Sequence, residues 1–295
     1  MAARARLAIT LGDPRGIGPE IVAKALSDPR VRDAVEATIV GPSGTEVAAD
    51  LVVGSWAPGG SPAEAGKLAG LAIERAVRLA RSGAVSGIVT APIDKHALHL
   101  GGYHFPGHTE LLASLTGSRT AMMLASDRLR VVLATTHIAL RDVPAAVTDV
   151  AIAEAAAITR TGLQQWFGIA EPRIALCGMN PHLGDGGLFG SEDEAVLTPA
   201  ARNAGISGPF AADTVFVRAM AGEFDAVIAP YHDVGMTAIK VASFGTAVNV
   251  TLGLPFPRTS PDHGTAIDIA GQDVARAESM IEALLVCAKI VERRG

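Results

Sequence analysis

Aromatic side chains, cysteine and long apolar runs are all scarce in this 295-residue sequence. Aromatic residues make up 4% of the chain while 49% of it is hydrophobic, so small and aliphatic side chains must build the core. The two cysteines, Cys177 and Cys287, lie far apart and form no paired metal-binding motif, which is typical of a reduced, cytoplasmic protein. Since no apolar run reaches the roughly 20 residues of a membrane-spanning helix, we predict no membrane partner.

An excess of positive charge is also lacking. The chain carries 25 Lys and Arg against 30 Asp and Glu, a formal net charge of -5. No basic stripe is present, so we do not expect nucleic acid as a partner. The charged fraction of 19% beside a large hydrophobic fraction excludes a disordered chain and favours a globular enzyme.

Short apolar runs alternate along the chain with alanine-rich stretches of helical period. The strand candidates are residues 7–11, 37–40, 87–89, 130–135, 173–176, 226–228 and 247–251. The helix candidates are residues 19–27, 62–82, 109–115, 147–167, 193–203, 213–221 and 274–291. This alternation predicts an α/β fold with a mostly parallel sheet. Residues 41–62 are rich in Gly, Ser and Pro, which predicts a loop.

Three histidines each follow a predicted strand: His137, His182 and His232. In open α/β sheets ligands bind beyond the carboxyl ends of the strands, so three imidazoles there can bind one divalent cation and leave positions open for substrate. Asp233 is then a neighbouring carboxylate that orients a ligand. Taken singly, each histidine is equally compatible with a separate polar or core role. A second set in a polar loop is expected at the surface: His96, His99 and His104.

Candidate anion-binding groups follow His232 along the chain: Lys240, Asn249 and Arg258. His108 and Thr109 open a predicted helix, whose free N–H groups attract an anion. Arginine binds phosphate through two hydrogen bonds, whereas lysine acts as a point charge. Surface charge and helix capping by Thr109 explain the same residues as well.

Two glycine-rich segments, residues 12–20 and 262–271, stand beside predicted elements. Segment 12–20 does not have the spacing of the usual dinucleotide-binding fingerprint. Gly264 and Gly271 allow the backbone to approach a flat or phosphorylated ligand closely. By spacing alone, either segment is equally compatible with a turn.

The sequence pieces that carry a wider resemblance run nearly from end to end. In order they are Gly12-Asp13-Pro14, Gly16-Ile17-Gly18-Pro19-Glu20, Gly107-His108-Thr109-Glu110, Met122-Met123-Leu124, Ala134-Thr135-Thr136-His137, Asn180-Pro181-His182, Ala212-Asp213-Thr214, Tyr231-His232-Asp233, Asn249-Val250-Thr251-Leu252-Gly253-Leu254-Pro255, Arg258-Thr259-Ser260 and Asp262-His263-Gly264-Thr265-Ala266. Together they resemble the 4-hydroxythreonine-4-phosphate dehydrogenases. Typical members have Gln where Val234 stands and commonly Pro where Ala211 stands.

The resemblance implies an α/β fold like that of isocitrate and isopropylmalate dehydrogenases. We therefore expect two α/β/α domains with a mostly parallel sheet and the active site in the interdomain cleft. The cofactor-side domain is predicted at residues 1–107 plus 259–295, and the metal, substrate and dimerisation domain at 108–258. The resemblance also implies a homodimer whose active site takes groups from both chains.

Site roles follow from the resemblance residue by residue. The implied metal ligands are His137, His182 and His232. The implied substrate and phosphate contacts are His108, Thr109, Lys240, Asn249 and Arg258. The implied cofactor contacts, in the loop that holds the adenosine part of NAD, are His263, Gly264, Thr265 and Asp268. Lys240, as base or phosphate anchor, and Asp233, beside the metal, are the catalytic candidates.

The implied activity is a metal-dependent NAD(P) dehydrogenase acting on a small phosphorylated acid. The expected substrate is 4-phosphohydroxy-L-threonine, oxidised to 2-amino-3-oxo-4-phosphobutanoate, which then loses CO₂ to give 3-amino-2-oxopropyl phosphate in pyridoxal phosphate biosynthesis. The expected cofactors are NAD or NADP and one divalent metal (Zn, Mg, Mn or Co). Related enzymes oxidise 4-phosphothreonate or 4-phosphoerythronate, and others act on cis-dihydrodiols of aromatic acids.

Two other classes of protein remain open at this point. A metal-dependent hydrolase or lyase acting on a phosphorylated sugar acid would use the same three histidines but has no need for the loop at 263–271. A non-catalytic ligand-binding protein built from two α/β domains would leave the three histidines unexplained.

Overall fold

A computed structural model describes residues 4–243 and 246–294 of the chain. The strands are Ala5–Thr10 (β1), Val35–Ser43 (β2), Leu51–Ser55 (β3), Gly87–Thr90 (β4), Ala121–Ala125 (β5), Arg130–Leu133 (β6), Ile174–Cys177 (β7), Ser207–Phe210 (β8), Ala226–Ala229 (β9), Val248–Leu252 (β10) and Arg258–Pro261 (β11). The α-helices are Gly18–Ser27 (α1), Pro29–Ala34 (α2), Pro62–Arg81 (α3), Lys95–Leu100 (α4), His108–Thr116 (α5), Val143–Ala146 (α6), Asp149–Phe167 (α7), Thr198–Asn203 (α8), Ala212–Met220 (α9), His232–Ser243 (α10) and Glu278–Arg294 (α11). Short 3₁₀ turns lie at Leu140–Asp142, Pro181–Gly184 and Ile267–Ile269, and a π-helical turn at Asp193–Leu197.

The chain divides into two compact units. Unit 1 combines Met1–Thr120 with Val248–Gly295, and unit 2 is Ala121–Ala247. The functional domain limits drawn from the sequence, at 107/108 and 258/259, stay a prediction, as does the location of the active site.

Unit 1 is built on strands in the order β3-β2-β1-β4-β11-β10. Neighbouring strands run parallel except β10 and β11, which are antiparallel. Helices α3 and α11 both pack on β1, β2 and β4. This cover explains why β1 and β4 are apolar and buried along most of their length, without the alternation of a half-exposed strand.

Helix α3 shows how the local sequence sets an element of this unit. The hydroxyl of Ser61 accepts the N–H of Glu64, and the Glu64 carboxylate accepts the N–H of Ser61 over 2.8 Å. This reciprocal cap satisfies two N–H groups that the first turn leaves free, and Pro62 needs no partner at the first helical position. The start of the helix is therefore fixed by the sequence itself.

Unit 2 has the strand order β5-β6-β9-β7-β8. The pair β5 and β6 is antiparallel, whereas β9 runs parallel to β6 on one side and to β7 on the other. Its core consists of apolar side chains from these strands and from the helices packed on them, among them Leu133, Phe216, Val227 and Ile239. The carboxyl ends of β6, β9 and β7 therefore meet at one edge of unit 2.

The predicted α/β class with mostly parallel strands is confirmed, and every strand and helix candidate has a counterpart. The prediction of a loop over residues 41–62 is wrong in part, because β2 continues to Ser43 and β3 occupies Leu51–Ser55. Strand β3 lies at the end of its strand order and is nowhere fully buried, and its apolar run is only the three residues Leu51, Val52 and Val53 within a segment rich in Gly, Ser and Pro. His96 and His99 are exposed as expected, but they stand on helix α4 and not in a loop.

Among residues 4–243 and 246–294, no helix combines the length and the apolar character needed to cross a membrane.

Candidate active site

Two of the three predicted metal ligands lie side by side beyond the carboxyl ends of β6 and β9. These strands pair in parallel, and the hydroxyl of Thr135 donates to the carbonyl oxygen of Pro230 over 2.7 Å. The ring centroids of His137 and His232 are 5.5 Å apart, and the ring planes are tilted by 43°. Two imidazoles at this separation are the kind of donor pair that a divalent metal uses.

Asp233 contacts one of these two rings. Its Oδ1 lies 2.7 Å from Nδ1 of His232. The Asp233 side chain is 82% exposed, so water screens this contact and it adds little to the stability of the fold. A carboxylate on one ring nitrogen does fix the orientation and tautomer of an imidazole, leaving the other nitrogen for a metal. The pair fits a carboxylate-oriented metal ligand.

Helix α10, which begins at His232, packs very closely on the strands beneath it. A Cβ atom added at Gly235 would lie 2.7 Å from Cδ2 of Leu133 and 2.9 Å from Cβ of Ala229. Glycine is therefore required for the helix to approach β6 and β9 this closely. Lys240 is an exposed residue of the same helix, about 12 Å along the axis from His232.

His182 follows β7, the neighbour of β9 on its other side. It is exposed and has a left-handed backbone conformation, with φ 51° and ψ 30°. Buried Asp193 fixes the segment just before it, because its carboxylate accepts the N–H groups of Met179 and Asn180 over 2.7 and 2.9 Å. Across the described ranges, no three His, Cys, Asp or Glu side chains are arranged to hold a metal ion. His182 as the third ligand therefore stays a prediction.

A buried arginine forms the centre of a second group of site residues, in unit 1. Arg258 is 1% exposed, and its guanidinium donates to the hydroxyls of Thr251 (2.9 Å) and Thr90 (2.5 Å). Burial lowers the pKa of Arg258 to about 9, against the opposing effect of the Glu110 charge. Its Nε has no hydrogen-bond partner within the described part of the chain. A buried cation with an unused donor is costly unless something anionic compensates it, so the group fits an anion-binding role.

Two more predicted substrate contacts share this environment. Burial, and then the charges of Arg258 and Lys95, hold the pKa of His108 well below its ordinary value, so the imidazole is neutral at pH 7. Asn249 stands on β10 opposite Ser260 of β11, the strand that begins with Arg258. Buried Nε2 of His108 and Oδ1 of Asn249 have no partner among the residues described. Unused polar atoms in a buried place are the expected mark of a ligand site.

The start of helix α5 supplies main-chain donors to the same group. Gly107 is the N-cap and forms no side-chain cap, and His108 is the first helical residue. The alternative that Thr109 caps this helix is therefore wrong, because Thr109 stands inside the first turn. The uncapped N–H groups of that turn and the helix dipole favour an anion there.

The predicted cofactor loop at 263–271 lies on the surface of unit 1. Gly264 and Asp268 are exposed, and Nδ1 of His263 lies 3.0 Å from the carbonyl oxygen of Gly264. The carbonyl oxygen of Thr265 accepts the N–H of Ile17 over 2.9 Å. A Cβ at Gly264 would meet no atom within 4 Å, so the backbone there is open to approach from outside. The contacts of this loop with a nucleotide stay a prediction.

Two residues of the site could not be found from the sequence: Thr90, which holds Arg258, and Asp193, which holds the segment before His182. Thr90 is 168 positions from Arg258, and Asp193 is 14 positions from Met179. A threonine at the end of a buried strand and an aspartate at the start of a helix carry no local signal for such contacts. The pairing of β4 with β11 brings the first pair of residues together.

The chain matches, over residues 14–287, the family model described as pyridoxal phosphate biosynthetic protein PdxA. A curated relative, the 4-hydroxythreonine-4-phosphate dehydrogenase of Desulfosudis oleivorans, is 43% identical over 96% of this chain and 95% of its own length. The D-threonate 4-phosphate dehydrogenase of Cupriavidus necator is 41% identical over 98% of each chain.

Solved structures agree with this relationship. The crystal structure of a 4-hydroxythreonine-4-phosphate dehydrogenase from Klebsiella pneumoniae has a TM-score of 0.87 and 38% identity, covering 99% of both chains. An isocitrate dehydrogenase from Methylococcus capsulatus has a TM-score of 0.50 at 15% identity, covering 94% of this chain and 83% of that one, which supports the predicted fold alone. With a family model matched over most of its length and relatives above 40% identity, the chain belongs to the PdxA family of pyridoxal phosphate biosynthetic proteins.

Proposed function

We propose that this protein is an NAD(P)-dependent dehydrogenase that oxidises the hydroxyl group of 4-phosphohydroxy-L-threonine. The names of its relatives support the reaction class. The observation that carries the proposal is the buried Arg258, held by two threonines beside a neutral His108 and the unused Oδ1 of Asn249. A phosphate monoester supplies the negative charge and the acceptor oxygens that this group of residues needs.

The phosphate end of the substrate is assigned to Arg258, His108, Asn249 and Thr109. Arg258 donates to the phosphate oxygens, and the first-turn N–H groups of α5 add main-chain donors. A neutral imidazole carries one N–H group, so His108 can donate one hydrogen bond to the phosphate. These contacts fix the orientation of the substrate and so bring its hydroxyl to the reacting position.

The hydroxyl end is assigned to the histidines that follow the strands of unit 2. His137 and His232 fit a divalent metal, His182 is assigned as their third partner, and Asp233 orients His232. When bound, the metal supplies Lewis acidity that makes the substrate hydroxyl easier to deprotonate. The native metal is assigned to the set Zn, Mg, Mn or Co.

The oxidation removes one proton and one hydride from the CH–OH group. Lys240 is the candidate for the group that takes the hydroxyl proton, with a phosphate anchor as its other role, and a bound nicotinamide would supply the hydride acceptor. The exposed loop 263–271 is assigned to the adenosine part of the nucleotide, with His263, Gly264, Thr265 and Asp268 as contacts. The product is a β-keto acid, which loses CO₂ to give 3-amino-2-oxopropyl phosphate.

A second substrate, 4-phospho-D-threonate, is favoured by one specific observation. The relative from Cupriavidus necator, 41% identical over nearly the whole chain, is named for that reaction. Both substrates carry a phosphate at one end and a carboxylate near the reacting hydroxyl, so the same groups would bind them. The reaction type is unchanged between the two.

The proposal includes a homodimer with an active site shared between chains, and NAD or NADP as the cofactor. Both are proposed from the resemblance to the family, and a cytoplasmic location stays a prediction from the cysteine content.

The test is the absorbance of reduced nicotinamide in mixtures of the protein, NAD or NADP, a divalent metal and one candidate substrate. The panel contains 4-phosphohydroxy-L-threonine, 4-phosphothreonate, 4-phosphoerythronate and an aromatic dihydrodiol acid. We expect reduction with 4-phosphohydroxy-L-threonine, lost with a chelator or in His137→Ala. Absence of reduction with every substrate, while the metal still binds, contradicts the proposal and favours the hydrolase or lyase class.

Lys240→Met separates the two roles considered for Lys240. Loss of kcat and of the acidic limb of the pH profile, with KM for the substrate retained, supports the base, because a general base acts only when it is deprotonated. A rise in KM with the pH profile unchanged contradicts it and supports the phosphate anchor.

A further inference from the structure

The glycine-rich segment at residues 12–20 is not used by any step of the proposed reaction. It joins β1 to helix α1, and it lies against the exposed loop that begins at His263. Two separate contacts connect these parts of the chain, one near each end of the loop. The segment and the loop are about 250 residues apart in sequence, as the 255-residue separation of Glu20 and Ala275 shows.

The first contact holds the start of the loop. The N–H of Ile17 donates to the carbonyl oxygen of Thr265 over 2.9 Å. A Cβ at Gly16 would lie 2.6 Å from that same carbonyl oxygen, so only glycine allows the two backbones to come this close. Gly16 therefore serves the close approach of this segment to the loop.

The second contact is built from side chains and holds residues 273–275, which continue the cofactor loop 263–271, so that the whole segment held is 263–275. The Glu20 carboxylate, 5% exposed, accepts the N–H of Ala275 over 2.8 Å and the ammonium of Lys24 over 2.9 Å. The Lys24 ammonium also donates to the carbonyl oxygens of Asp273 and Ala275, each at 3.0 Å. One carboxylate and one ammonium thus bind three main-chain groups within the three residues 273–275.

The part of the loop between these two contacts is exposed. At each end of it stands a non-glycine residue with a left-handed backbone conformation. Ala266 has a φ of 41° and Asp273 a φ of 57°, which side chains with a Cβ adopt at an energetic cost. Residues Ile267 and Asp268 between them are exposed. Without the contacts at both ends, the backbone would relax away from this conformation.

We propose that Glu20 and Lys24 are positioning residues for the nicotinamide cofactor, which they serve by holding loop 263–275 in its binding conformation. The inference rests on the proposed function, since that function assigns the loop to the adenosine part of the nucleotide. Neither side chain touches the nucleotide. They determine what fraction of molecules has the loop ready to bind it.

The experiment compares Lys24→Met, Lys24→Arg and Glu20→Gln with the unaltered protein. Arg78→Met is the matched control, because Arg78 forms an exposed i,i+4 ion pair with Glu74 on helix α3, in the same unit but away from the loop. Three quantities are measured: amide hydrogen exchange across 263–277 without nucleotide, the Kd for NAD and NADP, and the Tm.

We expect Lys24→Met to speed exchange in the loop and to raise the nucleotide Kd about tenfold, as happens when about a tenth of the molecules remain competent to bind. KM for the phosphorylated substrate and kcat at saturating nucleotide should stay close to those of the unaltered protein. The nucleotide Kd of Lys24→Arg should be close to that of the unaltered protein. The Kd of Glu20→Gln should lie between those of the unaltered protein and Lys24→Met, and Arg78→Met should change neither exchange nor Kd.

Unchanged exchange and unchanged Kd in Lys24→Met would overturn the proposal while leaving the dehydrogenase assignment intact. Faster exchange with an unchanged Kd would also overturn it, because the loop would then be held for another purpose. If the unaltered protein binds neither NAD nor NADP, the proposed function itself fails, and this inference fails with it.

Discussion

The hydroxyl of Thr135 donates to the carbonyl oxygen of Pro230 over 2.7 Å, and this bond connects the two segments that carry His137 and His232. Thr135 is 9% exposed, so little water competes for the bond. The two histidine rings, 5.5 Å apart, belong to separate chain segments whose spacing depends on this contact and on the pairing of β6 with β9.

Replacing Thr135 by valine should therefore weaken metal binding. The variant keeps the shape of the side chain but removes the donor, leaving the carbonyl oxygen of Pro230 without that bond. We expect the metal Kd to rise about 10- to 100-fold, the usual effect of losing a group that orients ligands. The free energy of unfolding should fall by about 1–3 kcal/mol. Competition with a coloured chelator measures the Kd, and Thr135→Ser should restore it. An unchanged Kd in the valine variant would show that the bond does not place the histidines.

Asp193→Asn should disturb His182 without touching it. Asp193 is 1% exposed and accepts two N–H groups, which an amide cannot do equally because its nitrogen is a donor. We expect a loss of about 1.5–3 kcal/mol in unfolding free energy and a metal affinity reduced about tenfold or more. Asp185→Asn, an exposed change three residues past His182, is the control and should leave both quantities as they were. Equal metal affinity in the two variants would show that Asp193 does not influence the metal site.

Inorganic phosphate should stabilise the protein through Arg258. An anion beside this buried guanidinium offsets the cost of its charge, and a ligand that binds the folded state alone raises Tm by mass action. For a chain of this size we expect about 2–4 °C for each kcal/mol of binding. Thermal unfolding with phosphate, against chloride at equal ionic strength, measures the shift. Arg258→Met should abolish it, and Arg78→Met, which removes a 60% exposed guanidinium, should retain it. A shift that persists in Arg258→Met would place the phosphate elsewhere.

His108 should make the stability of the protein depend on pH. The pKa of His108 in the folded protein lies well below its ordinary value of 6.5, so between these two values the unfolded chain binds one more proton. The stability linked to this group is present above pH 6.5 and is lost as the pH falls toward the folded pKa, by up to about 1.4 kcal/mol per pH unit. Urea unfolding of the protein and of His108→Asn, compared from pH 7.5 down to about 5, isolates this contribution. Parallel pH curves would show that His108 is not buried in neutral form.

The fold was predictable where the sequence carries a strong period. The apolar runs of β6, β9 and β7, each followed by a histidine, gave both the parallel strands and the shared edge of unit 2. Strand β3 was missed because its apolar run, Leu51 to Val53, is only three residues long and lies within a segment rich in Gly, Ser and Pro. Helix α10, His232–Ser243, was not predicted at all, because no Ser, Thr, Asp or Asn stands before His232 to mark an N-terminus.

The sequence was sufficient to predict which residues form the candidate site, but not their burial or their protonation state. Arg258 was expected to bind phosphate, but its burial depends on β4 and β11 pairing across a long stretch of chain. The neutral state of His108 arises from burial and from charges that the folded chain brings near it. These properties arise from contacts between residues that are far apart in the chain. Neither the periodicity nor the motif spacing of a single sequence predicts such contacts.

The two sides of helix α10 differ in how freely their residues can be substituted, and Gly235 lies on the restricted side. On the inner side an added carbon would come within 2.9 Å of Ala229, so any larger residue would displace the helix and His232 with it. On the outer side Thr237 and Val241 are exposed, and changes there leave the inner packing untouched. Substitutions on the outer side of this helix can therefore accumulate during evolution without moving His232.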